Sequence, residues 1–318
     1  MKKPYRTAVI GAGRWGQTII RIIEKMPEAD VVYIETHNYK KLLTKNIDAV
    51  IIATPGATHA QIALPFIAQG LPVFIEKPLT TSLADAKRLE RAAKKSGSLV
   101  FVGHIHLYNP AYKKVKELTK KIGRLRFIYG EGTNNGPYRN DLSAMWDWAP
   151  HDIATMIDIV GTKPISVQAW GVSLLRPKTK LHDTAYMKLI FPGEVTGFIF
   201  SSWLFPEKRK RITIIGKKSS IVFDDTAEQK IIFYKNMDPV FKKNKDTPEV
   251  LRKEPKVIYP AYTKERPLTL ELKAFFQSIS GKEKPKTDIS QGIAVVEVLE
   301  AAEKSMARGG RLSWMKKK

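Results

Sequence analysis

The sequence contains no cysteine, which excludes disulfide bonds, thiolate nucleophiles and cysteine-ligated metals. His104, His106 and His182 lack the spacing of metal ligands, so no metal site is expected. Long apolar runs are also missing, since segments such as 48–54 have the length of strands and fall far below the roughly 20 residues of a membrane-spanning helix. The first residues enter a strand-like segment without the apolar stretch of a secretory signal. We therefore expect a soluble, cytoplasmic protein with no membrane partner.

Acidic residues are scarce, since 31 Asp and Glu stand against 54 Lys and Arg, and the net charge is +23. A clustered excess of this kind would indicate nucleic-acid binding. The basic pairs are instead spread along the chain: Lys40-Lys41, Lys94-Lys95, Lys113-Lys114, Lys120-Lys121 and Lys217-Lys218. Several lie on predicted amphipathic helices, where they would face solvent, and no zinc finger or helix-turn-helix motif accompanies them. We therefore do not expect a nucleic-acid partner and favour attraction for an anionic small substrate.

A glycine-rich turn follows the first predicted strand. Residues 5–10 are strand-like, Gly11, Gly13 and Gly16 form a G-x-G-x-x-G pattern, and isoleucines then recur at helical spacing. In this strand–turn–helix context the glycines let the backbone approach a pyrophosphate, whose charge lies at the helix N-terminus. The sequence therefore predicts a dinucleotide-binding site.

The second predicted strand ends on an acid, Glu35, at roughly 20 residues beyond the glycines, the usual distance for this fold. A carboxylate there accepts hydrogen bonds from the adenosine ribose and disfavours a 2′-phosphate, which favours NAD as the cofactor. The connection from Glu35 to the third strand is short and leaves little room for the usual helix. Because Lys40 and Lys41 in this connection could meet a 2′-phosphate, NADP stays open.

Strands and helices alternate from residue 5 to residue 102, which predicts an N-terminal α/β domain with a doubly wound, Rossmann-type parallel sheet. From residue 125 onward, strands joined by tight turns predict an α+β domain with a large, mainly antiparallel open sheet. We place the dinucleotide-binding domain at residues 1–108 and a domain for substrate binding and oligomerisation at residues 109–318. The C-terminal helices are free to pack back across this junction.

Four further patterns follow the glycine turn in chain order: Ala53-Thr54-Pro55 with His59, Glu76-Lys77-Pro78, Gly136-Pro137-x-Arg139-x-Asp141, and Trp146-Asp147-x-Ala149-Pro150-His151-Asp152. With the glycine turn, they make the whole chain resemble the glucose–fructose oxidoreductase/inositol dehydrogenase (Gfo/Idh/MocA) family. The last two resemble a branch commonly assigned as sugar or nucleotide-sugar dehydrogenases of surface-polysaccharide pathways. The resemblance implies an NAD(P)-dependent oxidoreductase that transfers a hydride between a nicotinamide and a ring hydroxyl or ketone of a sugar, polyol or nucleotide sugar.

By the same resemblance, Lys77 and His151 are the catalytic pair and Asp147 is their companion. A histidine suits transfer of the hydroxyl proton, and a lysine ammonium would stabilise the developing alkoxide. Asp147 would orient one of the two and offset their repulsion. Pro150 is expected to open the helix, so that Asp147 precedes it. Pro78 would set how the strand end presents Lys77, and a cis Lys77-Pro78 bond is expected.

Two sets of binding residues follow from these patterns. The cofactor set is Gly11, Gly13, Arg14, Trp15, Gly16, Glu35, Ala53, Thr54, Pro55, His59, Glu76 and Lys77. The substrate set is Lys77, Asn109, Arg139, Asp147 and His151, in which Arg139 would meet a phosphate or carboxylate. An alternative function, motivated by the short segment after Glu35, is a non-catalytic dinucleotide-binding regulator on the same scaffold. An uncovered face of the second-domain sheet would favour a homodimer or homotetramer.

Overall fold

The structure is a computed structural model that describes residues 3–179, 181–238, 240–242, 249–251 and 254–315. The elements up to residue 108 are β1 (Tyr5–Ile10), α1 (Arg14–Ile23), β2 (Ala29–Glu35), β3 (Ala49–Ile52), α2 (His59–Ala68), β4 (Val73–Glu76), α3 (Leu83–Ser96) and β5 (Val100–Gly103). Those up to residue 264 are α4 (Pro110–Thr119), β6 (Leu125–Asn135), α5 (Ala144–Val160), β7 (Ser166–Val172), β8 (Thr184–Ile190), β9 (Thr196–Ser202), β10 (Leu204–Gly216), β11 (Ser219–Asp224), β12 (Ile231–Lys235), β13 (Val240–Lys242), β14 (Glu249–Leu251) and β15 (Lys256–Ile258). The chain ends with α6 (Pro267–Ile279), α7 (Ile289–Met306) and β16 (Ser313–Trp314).

The described chain divides into two compact units. The first contains residues 3–108 and 265–300, and the second contains residues 109–264 and 301–315. None of the described helices combines the length and the apolar character needed to cross a bilayer.

The first unit contains a five-stranded, wholly parallel sheet in the order β2-β1-β3-β4-β5. Every residue of β3, β4 and β5 is buried, as expected for parallel strands covered on both faces. Phe74 and Phe101 stack side by side on neighbouring strands, with ring centroids 5.4 Å apart. Phe275 of α6 meets both rings edge-on, at 5.7 and 5.6 Å. The predicted doubly wound parallel sheet is confirmed.

The connection between β2 and β3 is a single short 3-10 helix, Tyr39–Thr44. Its Leu42 is fully buried, and its Tyr39 ring lies 6.4 Å from the ring of Phe66 in α2. Leu42 and Tyr39 hold the 3-10 helix against the rest of the first unit. They thereby fix the backbone of the polar residues that follow Glu35 at the end of β2.

The second unit contains a nine-stranded sheet in the order β15-β12-β11-β10-β6-β9-β8-β7-β16. Its neighbours are antiparallel except for β6 and β9, which run parallel, and this confirms the predicted mainly antiparallel sheet. Helix α5 packs closely on one face. A side chain at Gly130 would lie 2.9 Å from the Asp152 carboxylate, and one at Gly132 would lie 2.8 Å from Trp148. The two glycines therefore leave room on β6 for the helix.

Helix α5 begins earlier than the sequence suggests. Pro150 is not its first residue, because the helix starts at Ala144 and the Ser143 hydroxyl accepts a hydrogen bond from the Trp146 amide at 3.4 Å. An interior proline costs about 3 kcal/mol, and here it is tolerated in a helix whose flanking residues are almost all buried. The expectation that Asp147 precedes the helix is therefore wrong, and Asp147 lies one turn before His151 on the same helix.

Candidate active site

The glycine turn of the first unit is a tight crossing of backbone segments. Gly11 has a φ of +99°, and a side chain there would lie 2.7 Å from the backbone of Ala53. A side chain at Gly16 would lie 1.8 Å from the Gly11 carbonyl oxygen, whereas one at Gly13 would have no heavy atom within 4 Å among the described residues. Gly11 and Gly16 are therefore required by packing, and Gly13 leaves the helix N-terminus open to a ligand.

The glycine turn is tied to the end of β4 by one carboxylate. Glu76 Oε1 accepts a hydrogen bond from the Trp15 indole at 2.6 Å, and Glu76 Oε2 accepts one from the Lys77 amide at 3.2 Å. Burial raises the pKa of Glu76 to about 7, against the opposing effects of Trp15 and Lys77. The Lys77-Pro78 bond is cis, as predicted. The first residue of the predicted catalytic pair therefore lies beside the predicted dinucleotide turn, within the same unit.

His59 joins the two loops that follow β3 and β4. Its imidazole is fully buried, with Nδ1 2.8 Å from the Pro78 carbonyl oxygen and Nε2 2.8 Å from the Thr54 carbonyl oxygen. The Ala53 amide in turn donates to the Ile10 carbonyl at 2.8 Å. His59 therefore stabilises the conformation of the two loops. An effect of His59 on a bound cofactor would be indirect, through the conformation of these loops.

The carboxylate of Glu35 is held by the loop that follows it. Oε1 accepts hydrogen bonds from the amides of Thr36, His37 and Asn38 at 2.9–3.1 Å, and Oε2 lies 2.5 Å from Lys41 Nζ. Lys41 and these amides lower the pKa of Glu35 to about 2. The acid that the sequence assigns to the ribose is thus also the anchor of the following loop.

Two buried titratable groups near Glu76 and Lys77 were not predicted as part of the site. Glu271 of α6 is fully buried, and neither carboxylate oxygen has a hydrogen-bond donor among the described residues. Its burial, together with the charge of Glu76, raises its pKa well above the usual range. His104 is also buried, and this burial, followed by the charge of Lys77, lowers its pKa to about 3. Nothing in the local sequence signals either group, because both acquire their surroundings from distant segments.

In the second unit, Asp147 is held from two sides. Its Oδ2 accepts a hydrogen bond from the Trp203 indole at 3.4 Å, and its Oδ1 lies 3.9 Å from Arg139 Nη1. Asp147 and His151 are both buried to about nine-tenths and lie four residues apart on α5, a spacing that puts side chains on one helix face. The structure therefore brings these two predicted residues together, and it adds the contact of Asp147 with Trp203.

The other two predicted substrate residues of this unit have partners within the protein. Arg139 makes a bidentate pair with Asp141 at 2.9 and 2.7 Å, so much of its charge is compensated. Asn109 caps α4 by accepting from the Ala111 amide at 2.9 Å, and its own amide donates to Asp225 at 2.9 Å. An asparagine followed by a proline is typical of a helix start, so Asn109 has a structural role in α4.

Asp152, next to His151, is a partly buried acid on the side of α5 that packs on β6. Burial, followed by repulsion from Glu131, raises its pKa from 3.8 to about 8, while Lys210 opposes the shift. A raised carboxyl pKa means that the folded state binds the extra proton, so stability falls as the pH rises from about 4 to about 8 and then levels off. One pKa unit corresponds to about 1.4 kcal/mol.

Asp152→Asn is therefore expected to unfold less readily than the wild type at high pH. We expect its advantage in unfolding free energy to grow by at least about 2 kcal/mol between about pH 5 and about pH 9, measured by urea denaturation at both values. Glu194→Gln, which removes a fully exposed acid, is the control and should show no such trend. A difference in unfolding free energy between Asp152→Asn and wild type that does not change with pH would contradict the raised pKa of Asp152.

The first unit fits a dinucleotide. The open space at Gly13 is where a pyrophosphate would approach, and the first turn of α1 has no side-chain cap among the described residues, so its amides are available to an anion. Among the described residues no cluster of three histidines or acids could hold a metal ion. Fold and turn together define the class of dinucleotide-binding Rossmann proteins.

Comparison with known proteins identifies the family. A model described as an oxidoreductase family with an NAD-binding Rossmann fold matches residues 24–104, and the model of the same family's C-terminal alpha/beta domain matches residues 139–316. The chain belongs to the Gfo/Idh/MocA family of oxidoreductases. It is an NAD(P)-dependent dehydrogenase, and the family, enzyme class and NAD cofactor predicted from the motifs are confirmed.

Individual relatives agree with this assignment. The chain is 26% identical to scyllo-inositol 2-dehydrogenase (NAD(+)) from Bacillus subtilis over 263 residues, which cover 73% of this chain and 77% of the relative. It is 29% identical to UDP-N-acetylglucosamine 3-dehydrogenase from Acidithiobacillus ferrooxidans over 150 residues, 46% of each chain. A crystal structure of a protein from Magnetospirillum magnetotacticum MS-1 is similar with a TM-score of 0.80 and 31% identity, covering 94% of this chain and 100% of that one.

Proposed function

We propose that the protein transfers a hydride between a nicotinamide cofactor and a ring hydroxyl or ketone of a sugar, polyol or nucleotide sugar. The observation that carries the proposal is the position of Lys77, whose amide shares the Glu76 carboxylate with Trp15 of the glycine turn. A lysine at this place is held next to the segment that binds the dinucleotide. The substrate class rests on the relatives, one of which is named as an inositol dehydrogenase and another as a nucleotide-sugar dehydrogenase.

The protein's own residues supply the proton chemistry in this proposal. A bound nicotinamide cofactor would supply the redox chemistry, which is the gain or loss of a hydride. Lys77 places its ammonium at the substrate oxygen and stabilises negative charge as the hydroxyl proton leaves. His151 takes that proton in the oxidation direction and returns it in the reduction direction. Asp147, held by Trp203 and Arg139, places its carboxyl group on the helix face that carries His151.

The proposal is tested by turnover. The purified protein is incubated with NAD, and separately with NADP, against a panel of inositols, hexoses and nucleotide sugars, and the absorbance of reduced nicotinamide is followed. Reduction with at least one polyol, sugar or nucleotide sugar supports the proposal. Tight dinucleotide binding without turnover on the whole panel would contradict it and would favour a regulatory role.

We also propose that a second copy of the chain covers the face of the nine-stranded sheet opposite α5. Aromatic side chains lie in register there: Tyr186 stacks on Phe200 at 4.5 Å, and Phe127 meets Phe198 edge-on at 6.5 Å. Tyr186 is 54% exposed and Phe198 is 39% exposed. A group of exposed aromatic side chains of this kind is typical of oligomer contacts.

Charge placed on this face is expected to separate the copies. Phe198→Glu should convert the wild-type oligomer into monomers, as measured by analytical ultracentrifugation, because a carboxylate cannot be buried without a partner. Ile34→Glu, at a similarly exposed apolar residue on the first sheet, is the control and should keep the wild-type mass. A monomeric wild type, or an unchanged mass for Phe198→Glu, would overturn this part of the proposal.

A further inference from the structure

The acid at the end of β2 has an unusual set of partners in this chain. In a Rossmann fold an acid here usually offers its oxygens to the ribose and repels a 2′-phosphate by its charge. The main chain of Glu35 is at the expected place, since its carbonyl accepts a hydrogen bond from the Gly11 amide at 2.8 Å. Its side chain, however, turns to the loop that follows it.

The charge of this carboxylate is compensated locally. Three amide N–H groups converge on Oε1, and the Lys41 ammonium lies 2.5 Å from Oε2. A carboxylate oxygen has two lone pairs, so Oε1 has no capacity left for a ribose hydroxyl. Since a full positive charge and three amide dipoles face Glu35, its repulsion of a phosphate is largely offset.

Lys41 is placed to meet a second anion. Its side chain is 57% exposed, and an ammonium group has three N–H donors, of which Glu35 requires one. The buried Leu42 next to it fixes the backbone of the 3-10 helix. Lys41 can therefore bind Glu35 in the absence of a 2′-phosphate and share its charge with such a phosphate when one is present.

We propose that Lys41 sets the cofactor preference of this protein, so that the chain accepts NADP as well as NAD in spite of the acid at the end of β2. The short connection between β2 and β3 is the cause, because it brings a lysine within six residues of Glu35 in the sequence. The inference rests on the proposed binding of a dinucleotide at the glycine turn, and it concerns only the discrimination between the two dinucleotides.

Binding titrations of NAD and NADP test this inference without any substrate. The proteins are the wild type, Lys41→Met, Lys41→Arg and Lys40→Met, and the readout is the Kd of each dinucleotide by isothermal titration calorimetry. Wild type should bind NADP within about tenfold of NAD. Lys41→Met should weaken NADP binding by about tenfold or more, because it removes a charge-assisted contact and leaves only the three amide N–H groups to offset the charge of Glu35. Its affinity for NAD should change by less than about twofold, which also shows that the variant is folded.

Lys41→Arg and Lys40→Met distinguish the effect of the Lys41 charge from the effect of a change in the loop. Lys41→Arg should keep the wild-type ratio of the two Kd values, and so should Lys40→Met, which removes the neighbouring exposed lysine. The difference in NADP affinity between wild type and Lys41→Met should become smaller at high ionic strength. An unchanged ratio in Lys41→Met, or a wild type that binds NAD but not NADP, would overturn the inference. Failure of the wild type to bind NAD would instead overturn the proposed function.

Discussion

Replacement of Lys77 by methionine is expected to lower kcat for dehydrogenation by about 10²–10³-fold, because in the proposed mechanism it removes the group that stabilises charge on the substrate oxygen. His151→Asn is expected to lower kcat by about 10²–10⁴-fold, because it removes the proposed proton acceptor. Asparagine is close to histidine in size, so the cost to folding is small. Steady-state rates are measured at saturating cofactor with the substrate identified by the turnover screen.

The combination of the two changes is more informative than either alone. If Lys77 and His151 act on one hydroxyl proton, their effects on kcat are not additive. The kcat of the double variant Lys77→Met/His151→Asn should then lie within about tenfold of the kcat of the slower single variant. Lys94→Met, on an exposed residue of α3, is the control and should keep the wild-type rate. A single variant that retains kcat within about threefold of wild type would remove that residue from the proposed mechanism.

Alanine at Gly13 and alanine at Gly16 are both expected to weaken NAD binding, but only the alanine at Gly16 is expected to destabilise the fold. A methyl group at Gly13 meets no heavy atom within 4 Å among the described residues, and the backbone there has φ −68° and ψ −177°, which any residue adopts. Gly13→Ala should therefore fold as well as wild type. The methyl group occupies the space left for a pyrophosphate, so the Kd for NAD should rise by about tenfold to 100-fold.

Gly16→Ala tests how closely α1 packs against the same turn. Its methyl group would lie 1.8 Å from the Gly11 carbonyl oxygen, so α1 must move away from the turn. We expect a loss of about 1–3 kcal/mol of unfolding free energy, measured by urea denaturation, together with a loss of NAD binding. Equal stabilities for Gly13→Ala and Gly16→Ala would contradict the close approach of α1 to the turn.

The local pattern of apolar and polar residues was sufficient to predict much of the fold. The alternation of apolar strands and amphipathic helices predicts the parallel sheet of the first unit, and tight turns between strands predict the large sheet of the second. Caps are equally local, since Ser82 accepts from the Asp85 amide at 3.1 Å and Asn109 from the Ala111 amide at 2.9 Å. These features depend on residues a few positions apart, and that is why sequence reasoning reaches them.

The beginning of α5 shows where local reasoning fails. Proline is favoured in a first helical turn, so Pro150 suggests a helix start, yet the helix begins at Ala144. Burial of residues 144–147 against the rest of the second unit outweighs the missing hydrogen bond of an interior proline. Burial depends on distant segments such as Trp203, which hydrogen bonds to Asp147, and no local pattern contains it.

For the site, the sequence by itself determined the glycine turn and, through its motifs, the family and the NAD cofactor. It also proposes Lys77, Asp147 and His151 as site residues, but only the structure puts Asp147 one turn before His151 on the same helix. Only the tertiary structure decided what these groups touch: Trp15 on Glu76, Lys41 on Glu35, and the buried Glu271 in the field of Glu76. The reason is physical. Residue type and spacing specify which chemistry a side chain has, whereas charge compensation and pKa depend on burial and on partners that folding brings from elsewhere in the chain.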